Sequence, residues 1–565
     1  MQRFRRAGLA VNSPAPPRPA GTRAVPGILM QSLLLASVAL FFLSFNILGT
    51  ASPGKRFSQD LVYAWFGNEA WLYPKADAHP ATSRGAQQVL VVMLNEPALA
   101  LRGARWPVPL QFHAQFLAEL EVLRPRAIFL DFLLLDPASA ADTCELLTVA
   151  ARLRSEHVPL YLAVTEPDDL RHLEAPGCKD PQGAAIHASE VFTPVAVQRQ
   201  VDDTDFISRR YPFEQRDEMA KPGTGVTSAA VRMYCDSTRR PGECLAALTH
   251  NESPAAGFEL AWSPDGDPFN QRWSHEPCRP KISPMRAVLN EPVLPRESPC
   301  PPVATLFADA LLNPGIDPAL GLDNDTLFNL AQGSFILVGG NFRGTGDLIT
   351  TPLHTLLPGV YYHAVALQNL IAFDGQPKVR KEFRSPKILF YLYDLLVLWV
   401  LAVIFMWRQR LIERGRTGHY SPFELSGAAR AWIAPLIARW PTPVWIVGAA
   451  VLLLLMAAFH WVQLIAVALI VLALVAIELR VTPQAERHER LRALGLYLLA
   501  MAASLGVIAL AIWIGYVGLR LPPGDWLGYL TFVAFGFFVA HAAILEFGRR
   551  IDELHVARST GAGPP

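Results

Sequence analysis

Apolar and polar positions are segregated along this chain on two length scales. The longer scale is a set of apolar runs near the two ends. Gly27 to Gly49 is 23 residues without a charge, or about 35 Å of helix at 1.5 Å per residue, enough to span a bilayer. Ile388 to Trp407, Ala493 to Val517 and Leu527 to Phe547 are of similar length. Val444 to Leu479 has 36 residues, nearly twice what one crossing needs, and reads either as one long helix or as two short spans turning near His460 and Trp461.

The shorter scale lies between the first two runs. Gln88 to Leu94, Ala127 to Leu135, Leu160 to Thr165 and Ser334 to Gly339 are continuously apolar, as strands covered on both faces are. Leu110 to Leu123 carries Phe112, Phe116, Leu120 and Leu123 at helical spacing, and a second helix is predicted over Ala141 to Arg154. Strands alternating with helices predict an α/β core with a parallel-rich sheet flanked by helices. The apolar runs outside it predict an all-α transmembrane bundle.

Charge orients the spans. Arg3, Arg5, Arg6, Arg18 and Arg23 precede the first run with no acidic residue among them, which places the N-terminus in the cytoplasm. An uncleaved anchor is favoured over a signal peptide, because the run is too long for an h-region and no small-residue cleavage site closes it. Arg408, Arg410, Arg414 and Arg416 follow the second run, and Arg480, Arg487, Arg490 and Arg492 follow the long block. Only a hairpin in that block returns the second set to the cytoplasm.

The expected layout is a cytoplasmic basic tail (1–26), a first transmembrane helix (27–49), an extracytoplasmic domain (50–386), a second helix (387–407), a cytoplasmic loop (408–442), four further helices (443–547) and a cytoplasmic tail (548–565). The protein is therefore expected in the inner membrane, multi-pass, with residues 50–386 in the periplasm. Net charge, +1 overall, gives no reason to expect nucleic acid as a partner.

All six cysteines fall in the extracytoplasmic segment, as in an oxidising compartment. Six cysteines allow 15 connectivities. Sequence proximity suggests Cys144 with Cys178, Cys235 with Cys244, and Cys278 with Cys300. Residues 221–302, rich in Pro and holding four of the cysteines, read as an insertion held by disulfides in place of a core of its own. No C-x-x-C or close Cys/His pair points to zinc.

Chemistry-bearing motifs are few. Gly339 to Asp347, GGNFRGTGD, follows a strand but lacks the Lys-Ser/Thr of a phosphate loop. It reads as a turn in which Gly344 and Gly346 take positive φ and Asp347 caps backbone amides. Asp131 interrupts an apolar strand and needs a partner, for which an arginine is the first expectation. Arg209 and Arg210 read either as an exposed bend or as groups facing an anion. His363 is expected to pack at the start of the last helix of the domain. Asp394, in the second span, is the ionisable residue deepest in a predicted membrane segment, a position that defaults to a functional reading. No nucleophile elbow, zincin motif or paired-carboxylate constellation stands out, so neither catalysis nor a cofactor is expected.

Ser334 to Leu370, SFILVGGNFRGTGDLITTPLHTLLPGVYYHAVALQNL, resembles the closing signature of the second class of CHASE domains, the cyclase and histidine-kinase associated sensory extracellular domains. The signature is a strand, a Gly-rich turn, an aspartate (Asp347), a Thr-Pro (Thr351-Pro352), then Pro358-Gly359-Val360, a histidine (His363) and a helix. Val89 to Glu96, Arg105-Trp106-Pro107, AIFLDFLLLDP with Asp131 at the family's strand aspartate, and Asp202 to Pro212 are similar to its earlier parts, in order. The resemblance implies a sensory domain between one N-terminal span and several C-terminal ones. It also implies an output module behind the last span. Because 18 residues follow Phe547, the expectation is a signal passed to a separate signalling or envelope protein, with a homo-oligomer possible in principle. The other readings are a structural or assembly subunit of an envelope complex and a transporter dependent on Asp394.

Overall fold

The computed structural model describes residues 25–45, then 56, 59, 60, 62, 63 and 88–379 apart from 136–138, 203–205, 216–224, 250–256, 264–265, 274–299, 314–322 and 343–346, and finally 386–414, 484–523, 526 and 529. Its centre is a six-stranded sheet in the order β4-β3-β2-β10-β1-β9, every neighbouring pair parallel. The strands are β1 (Val89–Asn95), β2 (Ala127–Leu130), β3 (Leu160–Val164), β4 (Phe192–Ala196), β9 (Thr305–Phe307) and β10 (Phe335–Asn341). The four continuously apolar runs form the four inner strands, because an inner parallel strand buries both faces. Val89 to Leu94 are all at most 2% exposed.

The two edge strands escape the apolar-run reading for a physical reason. β4 is Phe-Thr-Pro-Val-Ala and β9 is three residues long. Proline is tolerated at a sheet edge, where no second neighbour needs its missing N–H.

One face is covered by the crossover helices. Leu90, Val92, Ile128, Leu130, Leu160 and Leu162 pack there against α3 (Leu110–Val122) and α4 (Ala140–Ser155). Both helices match the predicted ranges within a residue or two. The short α2 (Glu96–Leu101) begins at Asn95, whose side chain accepts from the Ala98 amide, and Cys144 on α4 is disulfide-bonded to Cys178. On the same face lie α5 (Ala188–Val191), α8 (Ala308–Leu312) and α9 (Asn324–Ala331).

The opposite face carries Val91, Phe129, Tyr161 and Leu337 against α6 (Ala229–Asp236) and α10 (Val360–Ala372). Here the structure corrects the expected insertion at 221–302. Ala229, Ala230, Val231, Met233, Phe258 and Trp262 from that stretch are fully buried in this layer. Beside it β5 (Arg210–Pro212) pairs with β8 (Gly257–Glu259) and β6 (Glu214–Gln215) with β7 (Val226–Thr227), and the Trp262 indole donates to the Ser208 carbonyl at 3.1 Å. Burying a side chain such as Val231, Met233 or Phe258 contributes about 1.5–3 kcal/mol, so the described part of this stretch belongs to the core. Cys235 bonds Cys244 of α7 (Pro241–Thr249) at its margin. Cys300 is disulfide-bonded; Cys278 lies outside the described residues.

Outside the sheet, α1 (Val25–Phe45), α11 (Lys387–Arg414) and α12 (Gln484–Trp513) pack together through Leu35, Ala36 and Ala39, Leu398, Leu401, Ala402 and Phe405, and Ile508. The Trp399 indole N–H donates to the Ser32 hydroxyl at 3.1 Å. Two segments, Lys387–Arg408 and Leu498–Gly518, are long and apolar enough to cross a membrane; Leu29–Leu40 is a shorter apolar helix. A π-helical turn, Ile514–Gly518, ends α12. The segment 415–483 and residues from 530 onward, with the predicted hairpin and last span, lie outside the described residues.

Candidate functional site

The carboxyl ends of parallel strands are where open α/β sheets present ligand-binding groups. The chain places Asp131 there, immediately after β2, whose direction it still follows by donating its N–H to the Val338 carbonyl at 2.9 Å. The predicted strand to Leu135 stops at Leu130, and Leu133 and Leu135 turn outward.

Among the described residues the group that meets Asp131 is His363, from the first turn of α10, whose Nε2 stands 3.9 Å from an Asp131 oxygen. The Tyr211 hydroxyl accepts the Ala230 amide at 3.0 Å and lies 2.7 Å from His363 Nδ1. The hydroxyl and Nδ1 thus share a hydrogen bond, and the ring's tautomer decides which of them donates. Burial holds His363 neutral, lowering its pKa to about 3. Burial also pushes the Asp131 carboxyl well above the ordinary carboxylate range, and the nearby charge of Asp347 adds to the shift.

Asp347 stands just before β11 (Leu348–Thr351), which pairs with β12 (Thr355–Pro358) in a hairpin leading into α10. Gly359 donates its N–H to the Asp347 carbonyl at 3.0 Å. A Cβ on Gly359 would lie 2.4 Å from an Asp347 carboxylate oxygen, so glycine is required by that approach. Partial desolvation raises the Asp347 pKa, opposed by the Arg199 guanidinium, which is anchored by donating to the Leu348 carbonyl at 2.9 Å. In the hairpin, the Thr351 hydroxyl accepts the His354 amide at 3.0 Å across Pro352, and Pro358 is the register partner of Leu348. Gly344 and Gly346 lie outside the described residues.

Arg209 is not in an exposed bend, and the anions it faces are carboxylates of the chain itself. It is 6% exposed, its guanidinium donates to both Asp60 oxygens, the closest at 2.7 Å, and Asp202 stands 3.8 Å away, itself ion-paired with Arg56. A charge this buried needs such partners, and no local pattern marks a mate 149 residues distant. Arg210 is half-buried on β5, and its carbonyl accepts from the Tyr362 hydroxyl. Tyr211, Tyr362 and Arg199 complete the cluster and were not singled out in sequence. Their one legible signal is a tyrosine hydroxyl inside an apolar stretch, which requires a partner when buried.

Asp394 accepts from the Tyr529 hydroxyl at 2.8 Å and is 8% exposed, a helix-to-helix tie. The far end of α10 is tied to the membrane-type helices too. The buried Lys378 ammonium donates to the Tyr516 carbonyl at 2.6 Å and lies 4.0 Å from the centre of the Tyr516 ring and 4.9 Å from that of Phe373. Tyr516 belongs to the π-helical turn, a feature that recurs at functional positions.

Comparison with curated proteins and with solved structures gives no match. The model of the CHASE2 domain matches residues 34–405, about two thirds of the chain, from the first helix through the sheet, the acid cluster and α10 into the second span. The chain belongs to the CHASE2 domain family, a family of extracellular sensory domains.

Proposed function

We propose that this protein is a multi-pass membrane sensor whose α/β domain detects an extracytoplasmic cue and whose membrane helices pass it to a separate partner polypeptide. The domain would lie in the periplasm and both termini in the cytoplasm, with the bilayer, not a nucleic acid or a cofactor, as the constant surroundings. No catalytic step is assigned to it.

The observation that carries this reading is the position of α10. Its first turn meets Asp131 and Asp347 at the carboxyl edge of the sheet. Just past its other end, Phe373 and Lys378 hold Tyr516 at the end of a membrane-type helix. Thirteen residues make a rod of about 20 Å, and a rod moved at one end moves at the other.

The test uses the full chain. Transcript profiles are compared between cells carrying the native protein, none, and Lys378→Met at equal membrane abundance and equal melting temperature. The Lys378→Met profile is expected to resemble the deletion; a profile matching the native strain overturns transmission through this junction. An envelope assembly subunit is the second reading, favoured by Trp106, Leu133 and Leu135, each between 41% and 49% exposed at the same sheet edge. It predicts a native profile for Lys378→Met and loss of a complex on Leu133→Asp.

A further inference from the structure

The amino edge of the sheet, where the strands begin, carries arginines. Arg124 and Arg126 precede β2, Arg154 lies in the last turn of α4 just before β3, and Arg239 follows α6. α6 ends at this edge, since its last residue, Asp236, accepts from the hydroxyl of Tyr161 at the start of β3 at 3.0 Å. All four arginines are exposed. The acids around them are largely engaged: Glu121 pairs with Arg152, Asp236 with Arg232 and Glu243 with Arg240. Glu156 and Asp374 are the other exposed acids of this edge among the described residues. Val122, an apolar side chain 69% exposed, stands two residues before Arg124.

This edge is also the one turned to the membrane-type helices. The Arg126 guanidinium donates to the Ser237 carbonyl at 3.0 Å and lies 5.0 Å from the centre of the Phe335 ring. Ser237 in turn donates its N–H to the Tyr234 carbonyl at 3.1 Å, and a Cβ on Gly375, just past α10, would lie 2.8 Å from the Tyr234 ring. Two residues earlier Phe373 meets Tyr516, with ring centres 6.3 Å apart. Lys387, the first residue of α11, and Arg520, just past the π-helical turn, are exposed at the same end. Basic side chains at the ends of spanning helices reach the headgroup level, so the two mark where the bilayer surface lies.

We propose that Arg124, Arg126, Arg154 and Arg239 form a docking surface for the headgroups of anionic phospholipid in the extracytoplasmic leaflet. The inference rests on the multi-pass layout of the sensor reading. Its ground is charge complementarity at a fixed place: the contacts through Tyr234, Phe373 and Tyr516 hold a basic edge beside the bilayer, and a basic group near an anionic membrane surface is attracted within a Debye length. The lipid then holds the amino edge from below while Lys378 holds the end of α10 from the side. Exposed Val122 fits the same surface, because the layer it meets is partly apolar.

The experiment uses the full chain in nanodiscs of phosphatidylcholine, with and without phosphatidylglycerol. Hydrogen exchange reads residues 124–126, 154–157 and 237–240, with Val89–Asn95 as the internal standard for an intact core. At about 0.1 M salt, exchange at the edge is expected to be about fivefold slower in the anionic discs, and the difference is expected to vanish at about 0.5 M. A combined Arg124→Gln, Arg154→Gln and Arg239→Gln variant is expected to lose the lipid dependence with its core exchange unchanged. The corresponding Lys variant is expected to keep it, because attraction to a charged surface needs only the charge. Equal exchange in the two discs at low salt overturns the inference, as does slow exchange in both alike, which marks contact between copies of the chain. A native-like response in the Gln variant, or its loss in the Lys variant, also overturns it. The Lys378→Met profile is independent of these readings: lipid-independent exchange beside a deletion-like profile removes the docking surface alone, and the reverse pair removes transmission alone.

Discussion

Tyr211 and His363 meet at 2.7 Å inside the core, and the same hydroxyl accepts the Ala230 amide, so one oxygen ties the start of α6 to the ring that faces Asp131. Tyr211→Phe removes that oxygen while keeping the ring. Two buried polar groups then lose their partner, at about 1–3 kcal/mol each. Urea unfolding of the full chain should show this loss as a lower midpoint with an unchanged slope.

The contact between Gly359 and Asp347 predicts a rescue. Gly359→Ala is expected to destabilise the domain, because its Cβ would start 2.4 Å from a carboxylate oxygen. Asp347→Ala empties that space. In a double-mutant cycle the pair should therefore be less harmful than the sum of its parts, by about 0.5–3 kcal/mol. Strict additivity would show that the two residues do not touch.

Arg209 and Asp60 tie the chain just after the first helix to the face packed on α10. Stranding a buried charge costs about 3–5 kcal/mol; without Asp60, Arg209 keeps Asp202 at 3.8 Å, so a loss below that range is expected. Asp60→Ala should show that loss in thermal unfolding. Arg209→Lys should not restore stability, since a point charge cannot reproduce two donations to one carboxylate.

Acidity should act on stability in both directions. His363 is lowered to about 3, and His113 and His354 to about 4, by burial. Their unfolded forms bind protons below about pH 6.5 while the folded forms do not, so stability falls as pH drops from about 6.5 toward 4, by up to about 1.4 kcal/mol per unit per histidine. Asp131 is raised by burial, and there the folded form holds the extra proton. Its contribution is complete below the ordinary aspartate range and is lost as pH rises through the raised value. The histidine loss is seen on the acid side, and the Asp131 loss as pH rises through its raised value. In melting scans across pH, His113→Met should reduce the first and Asp131→Asn the second.

The central strands and crossover helices were legible because burial on both faces, or on one helical face, writes a periodicity into the sequence. β4 and β9 were not, since an edge strand may be short or contain Pro194. The Cys144–Cys178 and Cys235–Cys244 bonds could be read from proximity along the chain. Residues 221–302 misled through their prolines and cysteines, although Ala229, Val231 and Met233 in fact fill the core. At the site, Asp131, Asp347 and His363 stand out individually. What the sequence does not carry is which groups meet: that Arg209 answers Asp60, and that Asp131 faces a histidine held off by a tyrosine.

The strand order has a consequence for how the domain comes into being. β10, made last, lies between β1 and β2, made first. A nascent chain that has reached β4 therefore holds β2, β3 and β4 with their centre unfilled, and β1 has no neighbour until residues 305–341 emerge. Both edges of β1 and the facing edge of β2 are unpaired through that interval, and open edges invite pairing with other chains. The domain is completed in a single late insertion, and the same residues, running on into Asp347 and α10, bring the acid cluster together at that moment and not before.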